Sequence, residues 1–218
     1  MMNELTLIQL IAVWILPVVF AITVHEVAHG WVAKKRGDKT AWMLGRLTLN
    51  PIKHIDPIGT LLVPGFLLIA KTGFIFGWAK PVPVNARNLK NPVSDMAIVA
   101  AAGPLSNVLM AICWALFGRM GLMLDMDGIT QPMMYMSYAG IQINLVLAVI
   151  NLLPIPPLDG SRILSALLPR RWAWYYSHIE RYGFFVLLFL LWTGVLSSLL
   201  GYPLGTAQQL FFSLAGLK

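Results

Sequence analysis

The chain has 218 residues, of which 58% are hydrophobic and only 11% charged. An average soluble domain carries about 25% charged residues, so this composition argues against a soluble enzyme and for a polytopic membrane protein. The formal net charge of +7 sits in clusters between apolar stretches, which reads as membrane orientation and not as nucleic-acid binding. The lone Cys113 leaves no disulfide, CxxC pair or thiolate cage, so any chemistry falls to His, Asp, Glu and Asn.

The first apolar stretch runs from about 5 to 33 and is long enough to cross a bilayer. It follows Met-Met-Asn-Glu, which lacks the positive flank and small-residue cleavage site of a signal peptide, so it is expected to stay in the working protein. Near its end lies "AITVHEVAHG", 21 to 30. Ionisable groups are costly in lipid, and those found there face water, a partner or a metal. His25 and His29 stand four apart, hence on one helix face. Two imidazoles on one face can hold one Zn2+, and Glu26 beside them can take a proton from water.

Lys34, Lys35, Arg36, Lys39, Arg46 and Lys53 follow this stretch. The next apolar run, 57 to 70, is too short to span alone and is interrupted by Pro64-Gly65, so it is expected to dip in and return. It opens with His54 and Asp56 and leads to another basic loop with Lys71, Lys80, Arg87 and Lys90. In that loop "GWAKPVPVNAR" alternates Val82 and Val84 with prolines, an extended, edge-like pattern that could pair with an unwound substrate.

Further spans are expected over 93 to 118, 134 to 156 and 183 to 200. The 120 to 133 connection holds Asp125 and Asp127 and no Lys or Arg until the next helix, so it should be external; Arg162, Arg170, Arg171 and Arg181 return inside. The scheme has both termini outside and four crossings. The stretch 203 to 217, with Gln208 and Gln209, reads as an interfacial or half-buried helix, and His178 among Trp174, Tyr175 and Tyr176 reads as an interfacial anchor. The fold class is therefore all-α and polytopic, with about four transmembrane helices, a re-entrant segment and a small extended or β element at the cytoplasmic interface.

Catalytic zinc usually takes three protein ligands. His54, His178 and the carboxylates are candidates for the third. Asp159, in "NLLPIPPLDGSR", stands out because the charge-derived topology brings it to the depth of His25; a simple turn or cap at Asp159-Gly160 is the plainer alternative.

HExxH at 25 to 29, "AAGPLSN" at 101 to 107 and NxxPxPxLDG at 151 to 160 together resemble the site-2 protease family of intramembrane zinc metalloproteases. "HIDPIGT" and "GWAKPVPV" resemble its compact bacterial and archaeal branch. The likeness covers about 20 to 165, within a chain read as one membrane-embedded domain over 1 to 218 without PDZ or CBS additions. It implies one Zn2+ held by His25, His29 and Asp159, with Glu26 as catalytic base. It further implies cleavage of a membrane-spanning peptide near the cytosolic side of a prokaryotic cell membrane. The substrate would be a single-span protein or a signal-peptide remnant.

Asn151, matching the family's asparagine, is a candidate for holding the substrate backbone or the oxyanion. Asn107 and Asn144 lie in apolar helices and serve either interhelical hydrogen bonding or support of the site. His54 and Asp56 could steer or gate the site or bond within the loop, and His54 could be an extra or inhibitory ligand. Two other classes of function compete: a transporter, which would usually show repeated halves, and a zinc-binding scaffold without activity, which would not need Glu26.

Overall fold

The computed structural model describes residues 5–70 and 77–217. Helix α1, Leu7–Lys35, starts at a capping box in which Thr6 and Gln9 satisfy each other's backbone N–H groups. It closes with Lys34 and Lys35 in its last turn, where cations oppose the helix dipole. A short helix α2, Thr40–Met43, follows. A π-helical turn over Pro57–Leu62 then continues into α3, Val63–Ile69.

Pro64-Gly65 thus does not interrupt this run. The winding changes from π to α at Val63, one residue before Pro64. Asp56 caps the run, accepting from the N–H groups of Ile58 (3.0 Å) and Gly59 (2.8 Å). The expected re-entry of 57–70 turns on residues 71–76, which lie outside the described residues.

Helix α4 spans Pro92–Leu124 and α5 spans Thr130–Asn151. Together with α1 they are long and apolar enough to cross a membrane. They pack through small residues. Gly118 leaves room for Ser137, whose hydroxyl donates to Trp114 O at 2.7 Å, and Gly140 lies flat against the Trp114 ring. Close backbone approach of this kind replaces the hydrophobic drive that lipid removes.

Helix α6, Asp159–Leu167, is short and lies on α4. Helices α7, Arg170–Trp192, and α8, Val195–Ala215, are apolar but meet at 79°. This corrects the single straight span expected over 183 to 200. The chain breaks inside it at Gly194, whose φ of +74° is the left-handed conformation open to glycine, and the second half joins the 203 to 217 stretch in one helix. Helix α8 packs on α4 and α5, with a stacked Phe212–Tyr138 pair and a Gln208–Gln142 hydrogen bond of 2.8 Å.

The segment 77–85 forms no strand among the described residues. Two of its N–H groups do bond to neighbouring backbone: Trp78 to Gly59 O (3.0 Å) and Lys80 to His54 O (2.9 Å). Pro81 and Pro83 have no donor, and the N–H of Val82 goes to a side chain, so no ladder can extend. A buried Asp38 pins the far end. Its carboxylate accepts from Asn85 N–H (2.6 Å), Asn88 Nδ2 (3.0 Å), Thr40 N–H (3.0 Å) and the Thr40 hydroxyl. Burial alone pushes the Asp38 carboxyl up, but these bonds outweigh it and hold the group below the usual carboxylate range.

Candidate metal centre

The buried face of α1 carries His25 and His29, 8% and 9% exposed. Their Nε2 atoms approach to 3.1 Å. Asp159 reaches them from the first turn of α6, its Oδ2 lying 3.3 Å from His25 Nε2 and 3.2 Å from His29 Nε2. The turn that delivers it is tight. A Cβ on Gly160 would collide with the carbonyls of Leu152 and Leu153, and Leu158 O accepts both the N–H and the hydroxyl of Ser161. Asp159 also sits at a helix N-terminus, where a carboxylate is favoured.

The opposite nitrogens of the imidazoles are both occupied. His25 Nδ1 lies 2.6 Å from Asn107 Oδ1, and His29 Nδ1 lies 2.7 Å from the carbonyl oxygen of Val99. Both partners are acceptors, so each Nδ1 carries the proton and each Nε2 presents a lone pair. Two lone pairs and a carboxylate oxygen then face one another, and Asp159 Oδ2 is buried without a hydrogen-bond donor. That arrangement is repulsive unless a cation lies among the three atoms. The donors, all within 4.8 Å of one another, make the set that a catalytic zinc takes from protein, with one position left for water or substrate.

Space for this face is made by α4. A Cβ on Gly103 would lie 2.6 Å from His25 Cε1 and closer still to His29 Nε2. Glu26, one residue along α1, accepts the N–H of Val82 at its Oε2 (2.8 Å). Since prolines flank Val82, this N–H is the lone backbone donor of residues 81 to 83. The Val82 side chain packs close to Gly30, where a Cβ would meet it at 2.8 Å.

The remaining sequence candidates fall into two groups. Asn107 and Asn144 are fully buried and joined to each other, Asn107 Nδ2 donating to Asn144 Oδ1 at 2.9 Å, which places Asn107 directly behind His25. Asn151, at the end of α5, donates from Nδ2 to Leu147 O of its own helix. His54 is buried and held through Nε2 on Thr48 O (2.9 Å), outside the three-donor cluster, and Asp56 is spent on its cap. Val84 packs on the cluster of Ala33, Leu89 and Val99. His178 is exposed, bonded to Trp174 O and set against the Trp174 ring.

Two functional contacts escape sequence reading. Gly103 lies inside "AAGPLSN", where a run of small residues is the signal that something approaches closely. The Val82 N–H contact to Glu26 has no signal in side-chain identity beyond the two prolines that isolate it.

The model of peptidase family M50 matches residues 123–194. YwhC of Bacillus subtilis, named as a zinc metalloprotease, is 42% identical over 81% of this chain and 78% of its own length. Rip2 of Mycolicibacterium smegmatis, named likewise, is 30% identical over 87% of this chain and 69% of its own. MJ0611 of Methanocaldococcus jannaschii, also so named, is 32% identical over 65% and 63%. No solved structure matches the chain.

A bundle of membrane-length helices with two imidazoles and a carboxylate converging beside a glutamate defines a multi-pass membrane zinc metalloprotease. The chain belongs to peptidase family M50, the site-2 proteases.

Proposed function

We propose that this protein hydrolyses a peptide bond in or near the transmembrane segment of a single-span membrane protein or signal-peptide remnant. The observation that carries the reading is the convergence of His25, His29 and Asp159 beside Glu26 on the buried side of a membrane-length helix. Bound zinc supplies a Lewis acid that polarises the scissile carbonyl and acidifies water.

The chain's own groups do the rest. Glu26 receives the proton of the attacking water and hands it to the leaving amine. Its Oε2 is held by Val82 N–H, which orients the carboxylate and leaves Oε1 for the water. In an extended chain the N–H and C=O groups of alternate residues share an edge. Val82 and Val84 therefore share the edge that faces Glu26; with the Val82 N–H given to Glu26, a substrate strand laid there would pair with their carbonyls and lie at the base. Arg46 steadies the segment just ahead of Val82 by donating to the carbonyls of Lys80 (2.9 Å) and Pro81 (3.3 Å). Asn151 keeps one amide hydrogen and Oδ1 for the substrate backbone after its bond to Leu147 O.

The basic loops that follow α1 and precede α4 support a cytoplasmic active site in a prokaryotic cell membrane and a role in regulated intramembrane proteolysis.

The test is purified full chain in lipid nanodiscs with a fluorescent single-span substrate. Glu26→Gln should lower turnover by about 10²- to 10⁴-fold, the range of general-base catalysis, while zinc content stays at one per chain. Wild-type protein that binds zinc and leaves a panel of single-span substrates intact would favour a scaffold instead.

A further inference from the structure

A histidine that binds metal through Nε2 must keep its proton on Nδ1, and the bond made at Nδ1 decides this. For His29 the matter is closed by backbone: Val99 O can only accept. For His25 the partner is an amide side chain. Asn107 could turn either its oxygen or its NH2 toward the ring, and the two ends have opposite consequences. With Nδ2 toward the ring, His25 Nδ1 would have to accept, and the proton would move to Nε2, into the metal site.

The far end of Asn107 meets two oxygens, Ala21 O at 3.2 Å and Asn144 Oδ1 at 2.9 Å. Ala21 O is a carbonyl and only accepts. Asn144 has its own direction fixed, because its Nδ2 donates to Gly140 O at 2.8 Å, again a carbonyl. Its oxygen is thereby turned to Asn107, which must answer with Nδ2 and so present Oδ1 to His25. Each link passes its polarity to the next. Asn107 and Asn144 are both 0% exposed, and no water can rescue a reversed amide. A reversal would set donor against donor or acceptor against acceptor in a low-dielectric interior, where such mismatches are most costly.

We infer that Asn144 on α5 and Asn107 on α4 form a one-way hydrogen-bond relay that holds His25 on α1 in its metal-binding tautomer. They are positioning residues for the metal site and touch neither metal nor substrate. The inference rests on His25 being a zinc ligand. The plainer account of two buried asparagines between membrane helices is adhesion. Adhesion is indifferent to what the His25 ring receives, provided the helices stay joined, and this is where the two accounts separate.

The experiment uses the full chain in nanodiscs. Zinc affinity is read by chelator competition. The His25 tautomer is read from 15N shifts of histidine-labelled, zinc-free protein, and thermal unfolding is followed in parallel. Asn107→Leu should weaken zinc roughly 10- to 100-fold, the usual effect of removing a ligand's outer partner, and His25 should no longer be uniformly protonated at Nδ1. Asn107→Asp has only acceptors. It should keep the His25 tautomer and zinc affinity within about threefold of wild type, although it loses the bonds to Ala21 and Asn144 and unfolds earlier.

Asn144→Leu leaves Ala21 O in place and should weaken zinc by a smaller factor, roughly threefold to tenfold. It decides the matter if the Asn107 variants do not fold. The relay is overturned if Asn107→Asp is as weak as Asn107→Leu, or if Asn144→Leu binds zinc like wild type while His25→Ala has lost it. Undiminished zinc binding by His25→Ala would instead remove the ligand assignment, and the relay with it.

Discussion

Gly103→Ala is the smallest change that should disable the metal centre without touching a ligand. The added methyl would sit 2.6 Å from His25 Cε1, against an ordinary carbon–carbon contact of about 3.5 Å, so the rings must retreat by roughly 1 Å. They have nowhere to go at low cost. His25 is held at Nδ1 by Asn107 and His29 by Val99 O, at 2.6 and 2.7 Å. A displacement of about 1 Å in a catalytic constellation costs on the order of 10²-fold in rate, or about 2.7 kcal/mol. The helix itself should gain from the exchange, since alanine is favoured over glycine by about 1 kcal/mol. Any loss therefore comes from the collision. Zinc affinity by chelator competition and kcat/KM on a single-span substrate should both fall by about 100-fold. Gly201→Ala, with nothing within 4 Å of the new methyl, should leave both unchanged. A Gly103→Ala protein that binds zinc and cleaves within twofold of wild type would refute the packing argument.

Three other outcomes are expected. Val82→Pro removes the N–H that holds Glu26, so turnover should fall by about 10- to 100-fold with zinc content intact, whereas Val82→Ala keeps the donor and most of the activity; equal cleavage by both would make the contact incidental. Asp38 has a folded pKa below its unfolded value of about 3.9, so its contribution is complete above that value and is lost as pH falls through the lower folded one. Scanned by thermal unfolding from pH 7 to pH 2, Asp38→Asn should show a flatter decline than wild type below about pH 4, and parallel curves would show that the carboxylate is not the source. Stripping zinc with a chelator should lower the unfolding temperature, and restoring zinc should raise it in proportion to ln(1 + [Zn]/Kd), as for any ligand that binds only the folded state.

Much of the centre was readable because its parts are local. HExxH puts two imidazoles on one face by helical period alone, and a turn rich in Pro and Gly announces where the chain can present Asp159. The three long spans were readable for the same reason, since a run of apolar residues of sufficient length has few alternatives. The break at Gly194 was not. "FFVLLFLLWTGVLSSLL" is continuous in hydropathy, and one glycine in an apolar run does not say whether it will take a positive φ. That depends on α8 folding back against α4 and α5 through Gln208 and Phe212. The segment 77–85 was legible as extended but not in its pairing. Alternating valine and proline does suggest an edge, yet the one N–H of residues 81 to 83 went to Glu26, fifty-six positions earlier. Likewise, Asn107 and Asn144 could be assigned to buried hydrogen bonds from sequence, but the direction of those bonds depends on which carbonyls the folded helices bring to them.

The three donors come from far-apart pieces of chain: two from the first long helix, one from a turn beyond the third. An ion held among them closes a loop containing well over half of the protein. Long loops are those whose closure removes most freedom from the unfolded chain. The metal is thus a rivet as well as a reagent, and the same bonds that prepare the scissile carbonyl fasten α1 to the α5–α6 turn. A cell short of zinc would leave this enzyme less firmly held as well as inactive.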